Sequence, residues 1–458
     1  MCQIRNLIQK QRAFFQSGKT LNMDFRIQAL AKIGKAIEKN EEKVLSALNQ
    51  DLGKSPKESY MTELALVYGE IKHLQKNLHK YCRVTRVPTP LLQPGGKSFI
   101  IPEPLGLVLI IGPWNYPFQL IMLPLIGALA AGNCAVLKPS EFAPQTSALI
   151  KQLMADTIPE ELVAVVEGGI KESQQLLQNR FDHIFFTGGT ETGKKIMEAA
   201  SLHLTPITLE LGGKSPCIVD SDINLDIAAR RIVWGKFLNA GQTCIAPDYL
   251  LIDKKVKDLL IPRLISTIID FYGEEPLFSA DYARIVNQKH FSRLVHLMAQ
   301  GDIVWGGQYV EEERYISPTI LTNVSSNGSL MQEEIFGPLL PVLEYTNLDD
   351  AIAFVNSRPQ PLALYFFSRN QEKQNRILLE TSSGGACIND TIIHIANRNL
   401  PFGGVGESGM GCYHGRASFA TFTHYKGVFK SPWGFDLKIK YPPYNQPLSI
   451  IKKMLNWL

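Results

Sequence analysis

One stretch poses the chemical question: Asn239-Ala240-Gly241-Gln242-Thr243-Cys244. A cysteine follows small and polar residues, and the glycine lets backbone approach a ligand where a side chain would block it. A thiol presented this way can attack a carbonyl carbon, since thiolate is a strong nucleophile even when little of it is ionised. Taken alone, the stretch reads first as a turn around a small buried hydrophobe, the usual fate of a free cysteine.

Five other stretches could assist it. Pro113-Trp114-Asn115-Tyr116-Pro117 pins a loop with two prolines. The Asn115 amide could donate to a developing oxyanion, or close an Asx turn that caps the next helix. Leu137-Lys138-Pro139-Ser140-Glu141 puts a lysine and an acid at a strand end, which suits ribose hydroxyls and phosphate or is a solvated charged loop. Gly188 to Lys194 has a glycine pair before a helix, where phosphate binds. It approaches a P-loop, but Lys195 stands where a Ser or Thr should reach Mg²⁺, and no G-x-G-x-x-G is present.

Leu209-Glu210-Leu211-Gly212-Gly213-Lys214 ends an apolar strand on a carboxylate. Partial desolvation there raises a carboxyl toward a useful general base; otherwise Glu210 is an N-cap or a partner of Lys214. Glu333-Glu334-Ile335-Phe336-Gly337-Pro338 sets an acid and a ring two residues apart. Pro401 to Gly409 is glycine-rich, either a loop of the same site or a flexible connection.

The elements that must position these residues follow from periodicity. The first fifty or so residues read as helix, with Ile27, Leu30, Ile33 and Ile37 on one face. A second helical stretch spans about 60–81. Val87-Pro88-Thr89-Pro90 and Gln93-Pro94-Gly95-Gly96 then mark a turn or hairpin. Beyond Leu105, strands at 107–111, 134–137, 162–166 and 181–186 alternate with helices, the first of them running to about Ala131. That grammar predicts a parallel sheet covered on both faces, with ligands beyond the strands' carboxyl ends. A second run follows Leu211-Gly212-Gly213, with strands at 217–219, 249–252 and 320–321 and helices at 225–238 and 256–272.

Composition excludes several classes. At 458 residues, two or three domains are expected. A hydrophobic content of 45% and a charged content of 20% are those of an ordinary soluble protein. The net charge of +4, with no Lys/Arg block of five, gives no basis for nucleic-acid binding. Seven cysteines without C-x-x-C spacing point to a reducing compartment rather than to disulfides or zinc. Cys2, Cys82, Cys134, Cys217, Cys387 and Cys412 read as structural. His394, His414 and His424 lack ligand spacing, so no metal is expected. No signal core or membrane-length apolar run is present, and a cytoplasmic location is expected. At 449–458, Ile450, Ile451, Met454, Leu455 and Leu458 share a helical side opposite Lys452 and Lys453, with Lys438 and Lys440 upstream. This tail is expected to dock on the protein's own surface, with a weak peripheral membrane contact as the alternative.

In this order, PWNYP, LKPSE, FTGGTETG, LELGGKSP, GQTC, QEEIFGP and LPFGGVGESGMG resemble the motifs of the aldehyde dehydrogenases, most closely the class 3 branch for fatty or aromatic aldehydes. The resemblance runs from about Phe25 to about Pro443. It implies an α/β fold: a Rossmann-like cofactor domain (1–82 and 102–211), a second α/β catalytic domain (212–400), a β oligomerisation arm (83–101 and 421–445) and a tail (446–458). It implies Cys244 as nucleophile, Glu210 as general base, and Asn115 with the Cys244 backbone N–H as oxyanion donors. On the cofactor side, Trp114 belongs to the PWNYP loop, Lys138 and Glu141 match the adenine-ribose positions, Gly188 and Gly193 the pyrophosphate loop, and Glu334 with Phe336 the nicotinamide positions.

The cofactor so implied is NAD or NADP: Glu141 opposes a 2′-phosphate, yet the branch tolerates both. The substrate is a medium or long-chain aliphatic or aromatic aldehyde, and the assembly a homodimer. Gly189 departs from the commoner serine, and glycine should serve there too. A CoA-acylating enzyme would not need Glu210, and a catalytically silent relative would not be expected to retain Cys244, Glu210 and Asn115 together.

Overall fold

Short apolar runs bounded by glycine and proline form two mainly parallel sheets in the computed structural model, which describes residues 2–90, 93–434, 436 and 440–456. After the N-terminal helices come β1 (Thr85–Val87) and β2 (Lys97–Pro104), then β3 (Leu107–Ile111), β4 (Cys134–Lys138), β5 (Val163–Val165), β6 (His183–Thr187) and β7 (Ile207–Glu210). The second half supplies β8 (Pro216–Val219), β9 (Tyr249–Asp253), β10 (Asp302–Trp305), β11 (Tyr309–Val310), β12 (Tyr315–Ile316), β13 (Thr319–Thr322), β14 (Leu339–Tyr345), β15 (Ala363–Phe367) and β16 (Gly385–Ile388). β17 (Gly409–Met410) and β18 (Thr423–Lys430) complete the strands.

The first sheet has the order β17-β7-β6-β3-β4-β5, parallel except for β17. Every residue of β3, β4 and β6 is buried, as parallel strands covered on both faces must be. The chain leaves β3 for β4 on one side and returns to β6 on the other. The loops after β3 and β6 therefore open on a crevice at a topological switch point. The second sheet has the order β10-β13-β14-β9-β8-β15-β16, parallel except for β10. The two sheets part between Glu210 and Pro216. β1, β2 and β18 form a third, antiparallel sheet, in which β18 pairs with β2 from Thr423↔Pro104 to Lys430↔Lys97.

Several sequence expectations shift. The helix expected over 60–81 opens with a π turn at Tyr60–Leu64 before Ala65–Tyr81 continues as α-helix. Within that turn Glu63 faces inward and pairs with Lys54 at 2.5 Å, both fully buried. Apolar periodicity does not separate an i→i+5 turn from an i→i+4 one. The helix expected over 225–238 ends at Phe237, because the next turn is left-handed. The expected strands do not include β10, β11, β12, β14, β15 or β16; short runs without clear alternation do not declare themselves as strand rather than helix. The tail helix spans Leu448–Leu455, with Leu448 and Ile450 exposed. Met1, Leu91, Leu92, Phe435, Leu437, Lys438, Ile439, Trp457 and Leu458 lie outside the described residues, so parts of both arm segments and of the tail's apolar side do too. No helix among the described residues is long and apolar enough to cross a membrane.

Candidate active site

Cys244 is half-buried, ahead of the amino end of β9, on a loop with a left-handed bend. Asn239, Ala240 and Gly241 have φ values of 52°, 51° and 74°. Two of these are not glycine, so surrounding contacts must impose the bend. The Asn239 N–H donates to Glu58 Oε1 at 2.9 Å, and its Nδ2 donates to the carbonyls of Asn115 at 2.8 Å and Gln242 at 3.1 Å. Gln242 Nε2 donates to the carbonyls of Asn239 and Arg284, each at 3.0 Å, and its Oε1 accepts the Val286 N–H at 3.0 Å. A Cβ on Gly241 would come within 2.2 Å of the Gly337 carbonyl, so only glycine lets this loop close on the Glu333–Pro338 segment.

Asn115 is buried, and its Nδ2 donates to the Gln242 carbonyl at 3.0 Å. An amide nitrogen has two hydrogens, so one donor remains. Tyr116 is bonded to Thr243 Oγ1 at 2.7 Å, and Lys54 Nζ lies over its ring at 4.1 Å. Glu63 Oε2 accepts the N–H groups of Phe118 and Gln119 at 2.9 and 3.1 Å. It thereby caps the buried helix Gln119–Ala131 that follows the loop.

Glu210 ends β7, opposite Thr187 of β6 in register. It is 2% exposed, and neither carboxylate oxygen has a partner among the described residues. Lys214, the partner weighed from sequence, pairs instead with Asp248. Burial alone pushes the Glu210 carboxyl well up. Burial, then the Glu334 and Glu210 carboxylates, hold the Cys244 thiol high, while the N–H groups of Cys244 and Ile245 pull it down. A protonated thiol beside an unpartnered carboxylate can become a thiolate by passing its proton across.

Two cavities meet here. One, of about 240 Å³, is lined largely by apolar side chains that include Met61, Leu66, Trp234, Ile392 and Phe402. The other is a groove past Trp114, Asn115, Gly188, Glu334 and Phe336. Cys244, Glu210 and Thr187 line both.

In the groove, Trp114 and Phe336 make an edge contact at 5.3 Å, and His290 meets Trp114 at 5.1 Å. Burial, then Arg293 and Lys289, push His290 down to about 4, so it adds no charge near neutrality. The Glu334 carboxylate rests on Gly212, where a Cβ would lie 2.0 Å from Oε2. Burial, then Asp248, raises Glu334 to about 8, against the Gly213 N–H, Lys214 and Arg293. Its loop is pinned on several sides: Arg293 donates to the Ile335 carbonyl at 2.6 Å, and Asp248 Oδ1 accepts the Ile335 N–H at 2.9 Å. Gly188 donates its N–H to the Glu210 carbonyl at 3.0 Å, and a Cβ there would strike the Phe186 ring. The helix Thr190–Ser201 opens on the groove with its first N–H groups, a seat for phosphate. That helix end, a two-ring shelf and a carboxylate suited to ribose hydroxyls are a donor set fitting a dinucleotide.

Three predicted residues stand elsewhere. Gly193 lies within that helix against Leu211, where a Cβ would come within 2.8 Å of a leucine methyl. Lys138 ends β4, buried, donating to the Pro139 carbonyl at 2.7 Å and pairing with the part-exposed Glu141 at 3.6 Å. They belong to the strand next to the switch point and do not line the groove. Glu58, Asp248, His290 and Arg293 were not foreseen, because their partners are distant in sequence and no motif marks them.

The chain matches the aldehyde dehydrogenase family model over residues 2–428. It is 50% identical over 444 residues to the 4,4′-diaponeurosporen-aldehyde dehydrogenase of Staphylococcus aureus (strain NCTC 8325 / PS 47), covering 96% of both chains. It is 46% identical to the dimeric NADP-preferring aldehyde dehydrogenase of Canis lupus familiaris, over 97% of this chain and 98% of that one. Its fold matches the substrate-bound state of Staphylococcus aureus AldH with a TM-score of 0.96, at 48% identity and 99% coverage of each.

Proposed function

The chain belongs to the aldehyde dehydrogenase family, NAD(P)-dependent enzymes that oxidise an aldehyde to the carboxylic acid, and we propose that Cys244 is its nucleophile and Glu210 its general base. The observation that carries this reading is the junction: among the described residues, the one thiol and the one unpartnered carboxylate that line both cavities stand where they meet. Cys244 Sγ adds to the aldehyde carbon, and Asn115 Nδ2 with the Cys244 N–H receives the oxyanion. A donor of that kind is worth about 10²–10³ in rate. Bound NAD(P)⁺ supplies the hydride acceptor, and Trp114, Gly188, Glu334 and Phe336 hold it. Lys138 and Glu141, outside the groove at the end of the neighbouring strand, are proposed to meet the adenine ribose where the cofactor extends past it, and Gly193 lets the phosphate-binding helix sit close to its sheet. Glu210 then takes a proton from the water that releases the acid.

Cys244→Ala should abolish turnover while the fold persists. Glu210→Gln should release one burst of NADH per site and then stall, read by stopped-flow absorbance. Unchanged steady-state turnover in either variant sinks the assignment it tests.

The apolar cavity favours medium or long-chain aliphatic or aromatic aldehydes, and the relative named for a polyene-derived aldehyde supports this. Residues 1–82 and 102–211 serve as the cofactor domain, 212–400 as the catalytic domain, and 83–101 with 421–445 as the dimerisation arm. The dimeric relative and the exposed Tyr425 and Phe429 on β18 support a homodimer. A monomeric mass by light scattering at micromolar concentration contradicts it. The tail helix, whose Leu448 and Ile450 are exposed, is proposed to act against the protein's own surface at the aldehyde entrance, so truncation after Pro447 should change KM for long-chain aldehydes and leave short ones alone. Vesicle co-sedimentation lost on the same truncation would instead show a weak peripheral membrane contact.

A further inference from the structure

We propose that the Tyr413 phenol is the second hydrogen-bonding partner of the water that Glu210 activates, fixing one O–H while Glu210 takes the other. This rests on the reading of Glu210 as base.

Tyr413 lies four residues beyond the glycine-rich stretch Pro401 to Gly409 that sequence singled out. It is 0% exposed, and its hydroxyl has no partner among the described residues. The Thr187 hydroxyl and both Glu210 oxygens are in the same condition. All three residues line the apolar cavity that also holds Cys244. Unpaired buried polar atoms are rare in folded proteins and mark strain, chemistry or a bound polar molecule. Here they gather from separate elements at the one place where the reaction needs a water. A polar spot with several donors and acceptors inside an apolar cavity is a water site. Among charges, Glu210 and then Cys244 bear most on the Tyr413 phenol, and burial pushes the phenol well up, so it stays neutral.

A neutral phenol does not act as the base; its oxygen can accept. With one water hydrogen held by Tyr413 and the other by Glu210, a lone pair of the water oxygen is aimed at the thioester carbon. The C–O bond forms as Glu210 takes one proton. The C–S bond then breaks, Cys244 leaves as thiolate and the acid is released. The backbone holds the ring in place independently of its hydroxyl. Tyr413 N donates to the Phe402 carbonyl at 2.8 Å, and Phe402 N donates back at 2.9 Å. The ring itself packs edge-on against Phe185 at 5.1 Å.

The test is Tyr413→Phe in the full chain with NAD⁺, by stopped-flow absorbance, acid quench and intact-mass analysis. Phenylalanine keeps the ring contacts, and an unchanged thermal melt verifies the fold. Hydride transfer in the first turnover should stay within ~2-fold of wild type. Acid release should slow by ~10-fold or more, and an acyl adduct should accumulate on Cys244. Hydroxylamine, which attacks a thioester without an activated water, should restore turnover. Wild-type turnover with no adduct overturns the proposal, as does an equal loss of first-turnover and steady-state rates, or a rise in aldehyde KM alone. If Glu210→Gln also fails to accumulate adduct, the reading of Glu210 falls instead. If Glu210→Gln stalls and Tyr413→Phe does not, only the role of Tyr413 falls.

Discussion

The Glu58 carboxylate accepts the backbone N–H of Asn239 at 2.9 Å, tying the helix Pro56–Ser59 to the bend that carries Cys244. Burial pushes Glu58 up to about 7 from 4.5, with Lys54 and the Asn239 N–H opposing and Glu63 and Asp281 adding. A carboxyl raised in the folded state binds its proton more tightly than the unfolded chain does. Its contribution to stability is therefore full below 4.5 and is lost as pH rises through about 7. Glu58→Gln has no proton to lose. The melting temperature of the variant minus that of wild type should become more positive between about pH 5 and pH 8. A flat difference would show that Glu58 does not titrate in this window.

Gly241 and Gly189 should behave oppositely. At Gly241, φ is +74° and a Cβ meets the Gly337 carbonyl at 2.2 Å. Gly241→Ala should destabilise by about 2 kcal/mol or more and lower kcat by ~10-fold or more as Cys244 moves. At Gly189, φ is −75° and no atom lies within 4 Å of the place a Cβ would take. Gly189→Ser should change stability by less than about 0.5 kcal/mol. Thermal melts and initial rates of the two variants decide the contrast.

Lys214 pairs with Asp248 and donates to the carbonyls of Leu330 and Glu333, each at 2.9 Å. Lys214→Met leaves Asp248 buried without its cation, a change that costs about 3–5 kcal/mol. Because Asp248 also holds the Ile335 N–H, KM for the cofactor should rise more than KM for the aldehyde. Equal changes in both would remove this pair from the support of the Glu334 loop.

Glu141 stands 3.6 Å from Lys138 at the end of β4. If it faces the adenine ribose, as proposed, its charge repels a 2′-phosphate. Glu141→Ala should raise kcat/KM for NADP relative to NAD by about 5-fold, or ~1 kcal/mol at a part-exposed site. No change in that ratio would place the adenine ribose elsewhere.

Sequence alone determined the residue types, their order and the strand–turn–helix grammar. These are local properties: an apolar run such as Leu107–Ile111 reads as a buried strand without reference to anything distant, and seven motifs in one order establish the family. What the tertiary structure alone decided was which group met which. Glu210 and Lys214, four residues apart, do not pair, because Lys214 reaches Asp248, 34 residues away, and leaves the Glu210 carboxylate free. Glu58 reaches Asn239 across 181 residues. Gly193 and Gly188, in one motif, face different neighbours because a helix begins between them. Tyr413 looked like an ordinary aromatic until the fold brought its hydroxyl into the cavity of Glu210 and Cys244. Hydrogen bonds between distant segments, and the burial that makes them matter, arise only when the chain closes on itself, so nothing in the local pattern records them.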